Sequence, residues 1–153
     1  MGVVANRRSI MSLFSAPDCP LSHCARLVLA EKGITFDVIN VDNEEAMSSL
    51  ADLNPYGDIP TLVDRDLVLY DVRIISEYLD ERFPHPPLMP VDPVSRASSR
   101  LGLHRVFTDW YSLLPDVESE DKKISTKAKK ELRDSIAASA DIFSLKPFFL
   151  SDD

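Results

Sequence analysis

A chain of 153 residues with 44% apolar content can bury a core without metal or disulfide staples. Its net charge of −8 is uneven: through Phe83 there are seven Lys and Arg against fourteen Asp and Glu, and beyond it ten against eleven. Such acidity repels polyphosphate and argues against non-specific DNA or RNA binding; the apolar runs are too short for a membrane span, and Met1 to Phe14 lacks a signal peptide's apolar stretch.

The chain therefore reads as cytoplasmic. Gly2 does not make a myristoylation site, because Asn6 stands where Ser or Thr is required. Cys19 and Cys24 fit a reduced compartment better than a disulfide scaffold.

Ile10, Ser12, Leu13 and Phe14 predict a buried strand that Ser15-Ala16-Pro17-Asp18 breaks. From Pro20 the period is helical, with Leu21, Cys24, Ala25 and Val28 as the apolar stripe, Cys24 as a small buried residue, and Lys32-Gly33 as a closing cation and C-cap. Ile34 to Val41 reads as a second strand. Asn43 to Leu53 reads as an acidic helix ended by Asn54-Pro55-Tyr56-Gly57. Thr61-Leu62-Val63 and Leu67-Val68-Leu69 flank a short loop, as in a β-hairpin. Val72 to Phe83 is helical again, with Ile74, Ile75, Tyr78 and Leu79 on one face.

Five of the eleven prolines fall in 84–93, which predicts an extended linker. Beyond it the pattern is helical only. Val94 to Leu114 carries Leu101, Val106, Trp110 and Leu113 on a stripe, Pro115 to Asp121 is an acidic turn, and Ile124 to Phe143 is a second helix. Trp110 and Tyr111 are read as helix packing and His104 as a satisfied polar residue. The domains are thus 9–83, a linker 84–93, and a helical part 94–153.

The order β-α-β, X-Pro hairpin, helix, proline linker, helices resembles the glutathione-transferase superfamily. Ala30-Glu31-Lys32-Gly33, Leu53-Asn54-Pro55 before Ile59-Pro60-Thr61-Leu62, and Ile74-Ile75 with Tyr78-Leu79 stand in that superfamily's order. The resemblance implies α/β plus all-α architecture: an N-terminal thioredoxin-like βαβ-ββα domain, then an incomplete helical domain. Roughly 5–6% of X-Pro bonds are cis, so a cis peptide at Ile59-Pro60 is an implication of the resemblance, as is a homodimer. Lys146 to Asp153 resembles a segment leading into a further helix, with Ser151 or Asp152 opening a capping turn, which suggests a fragment or a natural truncation.

Within the superfamily, Glu77-Tyr78-Leu79-Asp80-Glu81-Arg82-Phe83-Pro84-His85-Pro86-Pro87-Leu88-Met89-Pro90 resembles the stringent starvation protein A family. Members of that family associate with bacterial RNA polymerase through an exposed Pro-His-Pro patch. The resemblance implies a transcription regulator without transferase activity, contacting the polymerase holoenzyme or its sigma factor through Pro84, His85 and Pro86. The plainer reading of the cluster is a helix stop and a linker.

Phe14-Ser15-Ala16-Pro17-Asp18-Cys19-Pro20-Leu21-Ser22 resembles the glutaredoxin and omega-class active site. The alternative function is therefore a glutathione-dependent thiol transferase using Cys19. A cysteine just before a helix meets the dipole's positive end and unpaired N–H groups, where thiols are activated. Ser22 holds the second-thiol position, so only one-thiol exchange is open. The glutathione pocket would comprise Cys19, Ile59, Pro60, Asp71 and Val72. However, the superfamily's Glu-Ser reads Asp71-Val72 here, and Val41 to Asp58 contains no Lys or Arg but five acids. The pocket reads as vestigial, with no cofactor. His23 with the two cysteines lacks a zinc site's spacing, so no metal is expected.

Overall fold

The computed structural model describes residues 10–140. The chain divides into two compact units, 1–88 and 89–153.

In the first unit β1 (Met11–Ser15), α1 (Pro20–Glu31), β2 (Phe36–Asn40), α2 (Glu44–Leu53), β3 (Thr61–Asp64), β4 (Leu67–Tyr70) and α3 (Val72–Arg82) follow in order. The strands form one mixed sheet, β2-β1-β3-β4. β1 runs parallel to β2 and antiparallel to β3, and β3 is antiparallel to β4. This is the expected βαβ-ββα domain. α1 and α3 pack against each other, and the core contains Leu13, Ala25, Leu29, Leu62, Ile75 and Leu79, none with any exposed surface. Burying each such leucine or isoleucine contributes about 1.5–3 kcal/mol.

Two helix faces differ from the sequence expectation. On α1 the buried stripe is Ser22, Ala25 and Leu29, and Cys24 is exposed. A 3.6-residue period permits two neighbouring stripes that share Ala25, and the more apolar one is not the one buried. Polar Ser22 can be buried because its hydroxyl accepts the Ala16 N–H at 3.4 Å. On α3 the buried residues are Val72, Ile75 and Leu79, while Ile74 is exposed.

α1 ends in a Schellman turn, with Gly33 N–H to Ala30 O at 2.9 Å and Ile34 N–H to Leu29 O at 3.2 Å. Gly33 has φ 63°, the left-handed conformation that glycine adopts without steric cost.

The second unit contains α4 (Pro93–Arg105), a π turn (Val106–Trp110), a 3-10 turn (Tyr111–Leu113), α5 (Leu114–Val117) and α6 (Lys122–Ala138). The expected continuous helix from Val94 to Leu114 is broken, because Pro115 cannot donate to the Tyr111 carbonyl and its ring crowds it. The π and 3-10 turns change the register before it, and Pro115 then sits in the first turn of α5. Asp121 caps α6, accepting from Lys123 N–H at 2.8 Å. The helix expected to reach Phe143 ends at Ala138 instead, with Ser139 as its C-cap; Ser151 and Asp152 lie outside the described residues. Trp110 packs as expected, its indole N–H donating to Ser135 Oγ at 3.1 Å. No helix among the described residues is long and apolar enough to cross a membrane.

Candidate functional site

The sheet register gathers one set of candidate residues. Cys19 follows the end of β1, Pro60 precedes β3, and Asp71 follows β4. Phe14 pairs with Thr61 and Thr61 with Tyr70, so these three segments meet at one end of the sheet. Cys19, Ile59, Pro60, Asp71 and Val72 therefore share an edge. The Ile59–Pro60 bond is cis, and Pro60 is fully buried.

At this edge Cys19 is the N-cap of α1, half-buried, with Sγ accepting the Ser22 N–H at 3.5 Å. Its loop is fastened by Arg26, which donates to Ser15 Oγ, to Ala16 O at 3.1 Å and to Pro17 O at 3.5 Å. Asn54, completely buried, ties the approach to Pro60: its amide donates to Asp58 O at 3.2 Å and Thr61 Oγ1 at 3.0 Å, and its oxygen accepts from Tyr56 N–H at 3.0 Å. The sequence reading gave neither Arg26 nor Asn54 this role.

At the Asp71-Val72 end of this edge the polar groups are engaged within the chain. Asp71 caps α3 through Arg73 N–H at 2.8 Å, and its carboxylate also pairs with the Arg73 guanidinium. The Arg73 side-chain hydrogen bond, helped by the helix N–H groups and opposed by partial burial, holds this carboxyl below the ordinary carboxylate value. Val72 is buried and apolar. A nearby cleft of about 270 Å³ is lined by Phe14, Ile39, Asn40, Asn43, Glu45, Ala46 and Ser49, and by none of the five pocket residues. It is below the roughly 300 Å³ at which small-molecule sites begin, and its one charged side chain is acidic. Among the described residues no three His, Cys, Asp or Glu gather to hold a metal.

Pro84, His85 and Pro86 lie elsewhere. They follow α3, whose 11 residues span about 16 Å away from Asp71. All three are exposed, as are Pro87 and Leu88, and the His85–Pro86 bond is cis. Beneath them is Lys32, the α1 C-cap, whose side chain has no exposed surface. Its ammonium donates to Asp80 Oδ1 at 2.6 Å, Phe83 O at 2.7 Å and Pro86 O. An ammonium has three protons, and each has an acceptor. Asp80 Oδ1 also accepts the Leu88 N–H at 2.8 Å. The segment read as the start of a linker is thus fastened to the first unit as far as Leu88. A lysine beside a C-cap glycine normally signals a solvated cation facing the helix dipole, so the sequence held no cue to this clamp.

Comparisons with known proteins place the domain and then the family. Residues 13–87 match the model of the glutathione S-transferase N-terminal domain. Among solved structures, omega-class glutathione transferase 3C from Trametes versicolor is similar at a TM-score of 0.82 and 22% identity, over 97% of this chain and 67% of that one; this likeness shows the fold alone. The class is therefore a glutathione-transferase-like protein.

The stringent starvation protein A homolog of Haemophilus ducreyi is 50% identical over 100% of this chain and 72% of its own length. That of Pasteurella multocida is 51% identical with the same coverage. The chain belongs to the stringent starvation protein A family.

Proposed function

We propose that this protein is a cytoplasmic transcription regulator that docks on bacterial RNA polymerase, or its sigma factor, through Pro84, His85 and Pro86. The observation that carries the reading, together with the family, is the exposure of all three side chains on a loop fixed from beneath by Lys32 and Asp80. Prolines are already restricted in φ, so little backbone entropy is lost when a partner settles on them. His85 adds polar groups that fix the register. Replacing Pro84, His85 and Pro86 together by Ala is expected to lower affinity for purified polymerase holoenzyme at least tenfold with melting little changed. Undiminished affinity would overturn the reading.

A second reading rests on Cys19 at the α1 N-cap, where Sγ accepts the Ser22 N–H: one-thiol exchange with small disulfides. The engaged Asp71, buried Val72 and acidic approach disfavour glutathione as its partner. Millimolar glutathione is expected to leave the melting temperature unchanged. A saturable rise, with thiol exchange lost in Cys19→Ser, would favour the enzyme.

A further inference from the structure

We infer that Lys32 is the positioning residue of the Pro84–Pro86 docking surface, its buried ammonium setting the backbone path from Phe83 to Leu88; the inference rests on the polymerase-docking reading above. Pro84, Pro86 and Pro87 have no N–H, so of residues 84–88 only His85 and Leu88 retain a backbone donor. The Leu88 N–H goes to Asp80. A segment this poor in donors must be ordered largely through its carbonyls, and an external donor is then required. Lys32 supplies it. The two carbonyls it holds, those of Phe83 and Pro86, bracket Pro84 and His85. Its third proton goes to Asp80 on α3, so one ammonium ties the end of α1 and the last turns of α3 to both ends of the patch.

The position of the ammonium is fixed in turn. The Schellman turn at Gly33 closes the backbone on both sides of Lys32, whose own N–H donates to Val28 O at 3.0 Å. A buried ion pair is a poor means of stabilising a fold, because desolvation opposes the Coulomb gain and apolar residues of similar volume often serve as well. Three directional bonds from one atom define a geometry that apolar packing cannot. The patch is thus presented by a charge that no partner touches.

The test compares the full chain with Lys32→Met, which keeps the stem and removes the ammonium. Polymerase affinity is measured by titration of the purified holoenzyme, and hydrogen exchange at the Leu88 amide by NMR without polymerase. Expected are at least tenfold weaker binding, at least fivefold faster Leu88 exchange, and unchanged exchange in β1 and β3. In the Pro84, His85, Pro86 triple-Ala background, Lys32→Met should add no further loss, because both changes act through one surface. A residue with only a structural role would lower the melting temperature without this non-additivity. Parental affinity in folded Lys32→Met, or a full additional loss in the triple-Ala background, would overturn the inference. If the single variant does not fold, Lys32→Met with Asp80→Asn removes both charges together, keeps an oxygen to accept the Leu88 N–H, and is judged by the same binding criteria. If the parent itself fails to bind polymerase, the docking reading falls, and the clamp is judged on Leu88 exchange alone: faster exchange supports it, unchanged exchange refutes it.

Discussion

Asp71 combines two opposing effects in one residue. Its carboxylate caps α3 and pairs with Arg73, but its backbone stands at φ 72° and ψ 118°, a sparsely populated conformation that costs a residue with a side chain about 1–3 kcal/mol. Replacement by Ala removes the cap and keeps the strain, so Asp71→Ala should be less stable by about 1 kcal/mol. Glycine replaces a capping residue at a cost of only a few tenths of a kcal/mol and removes the backbone penalty. Asp71→Gly should therefore match or exceed the parent in urea denaturation, and an equal loss in both variants would contradict the argument. The carboxyl is held below its ordinary value in the folded protein, chiefly by the Arg73 side-chain bond. Its stabilising contribution is therefore complete above the ordinary carboxylate range and disappears as pH falls through the lowered value. The gap between parent and Asp71→Ala should narrow in acid. The Asp71-Val72 substitution for Glu-Ser was readable in the sequence. That Arg73 occupies the carboxylate was not, because a pair two residues apart depends on the unusual backbone.

At the scale of elements, the segment from α2 to β3 shows what sets the sheet edge. Asn54 ends α2, where its N–H donates to Leu50 O at 2.8 Å, and its side chain then makes three bonds to the loop that delivers Pro60. Removing a buried side chain with several partners leaves donors and acceptors unmatched at ~1 kcal/mol each. Asn54→Ala should therefore destabilise the fold by roughly 2–3 kcal/mol, read as a lower urea midpoint at unchanged slope; a loss below about 0.5 kcal/mol would mean that water replaces the side chain. The strands and helices of the first unit were readable because turn residues separate their periods cleanly. Which stripe of α1 faces inward was not, since burial of Ser22 and Lys32 depends on Ala16, Asp80, Phe83 and Pro86, all distant in sequence or local only after folding. The α4 break was foreshadowed by Pro115, but its position was not: α4 ends at Arg105, nearly three turns upstream of that proline.

Across the whole molecule the charge is divided as the units are. Residues 84–88 contain no Asp, Glu, Lys or Arg, so the first unit contains all seven Lys and Arg and all fourteen Asp and Glu counted through Phe83, a net −7. The proposed docking patch is therefore free of Asp, Glu, Lys and Arg within an acidic unit. Such a body is repelled by DNA, which agrees with the proposed action through protein contacts. The opposing feature is α6, where Lys122, Lys123, Lys127, Lys129, Lys130 and Arg133 stand against Glu131 and Asp134, a net +4. Non-specific DNA affinity comes from phosphates neutralised and the counterions they release, and α6 presents its cations without an aromatic stacking residue. Set against a total of −8, that helix should not hold a duplex at physiological salt, where screening confines its field to ~8 Å. Titration with labelled duplex DNA at 150 mM salt is expected to produce no change in anisotropy, whereas polymerase binding persists. Saturable DNA binding with a steep salt dependence, abolished by replacing Lys127 and Lys130 with Gln, would instead make α6 a phosphate-binding face and bring nucleic acid into the mechanism.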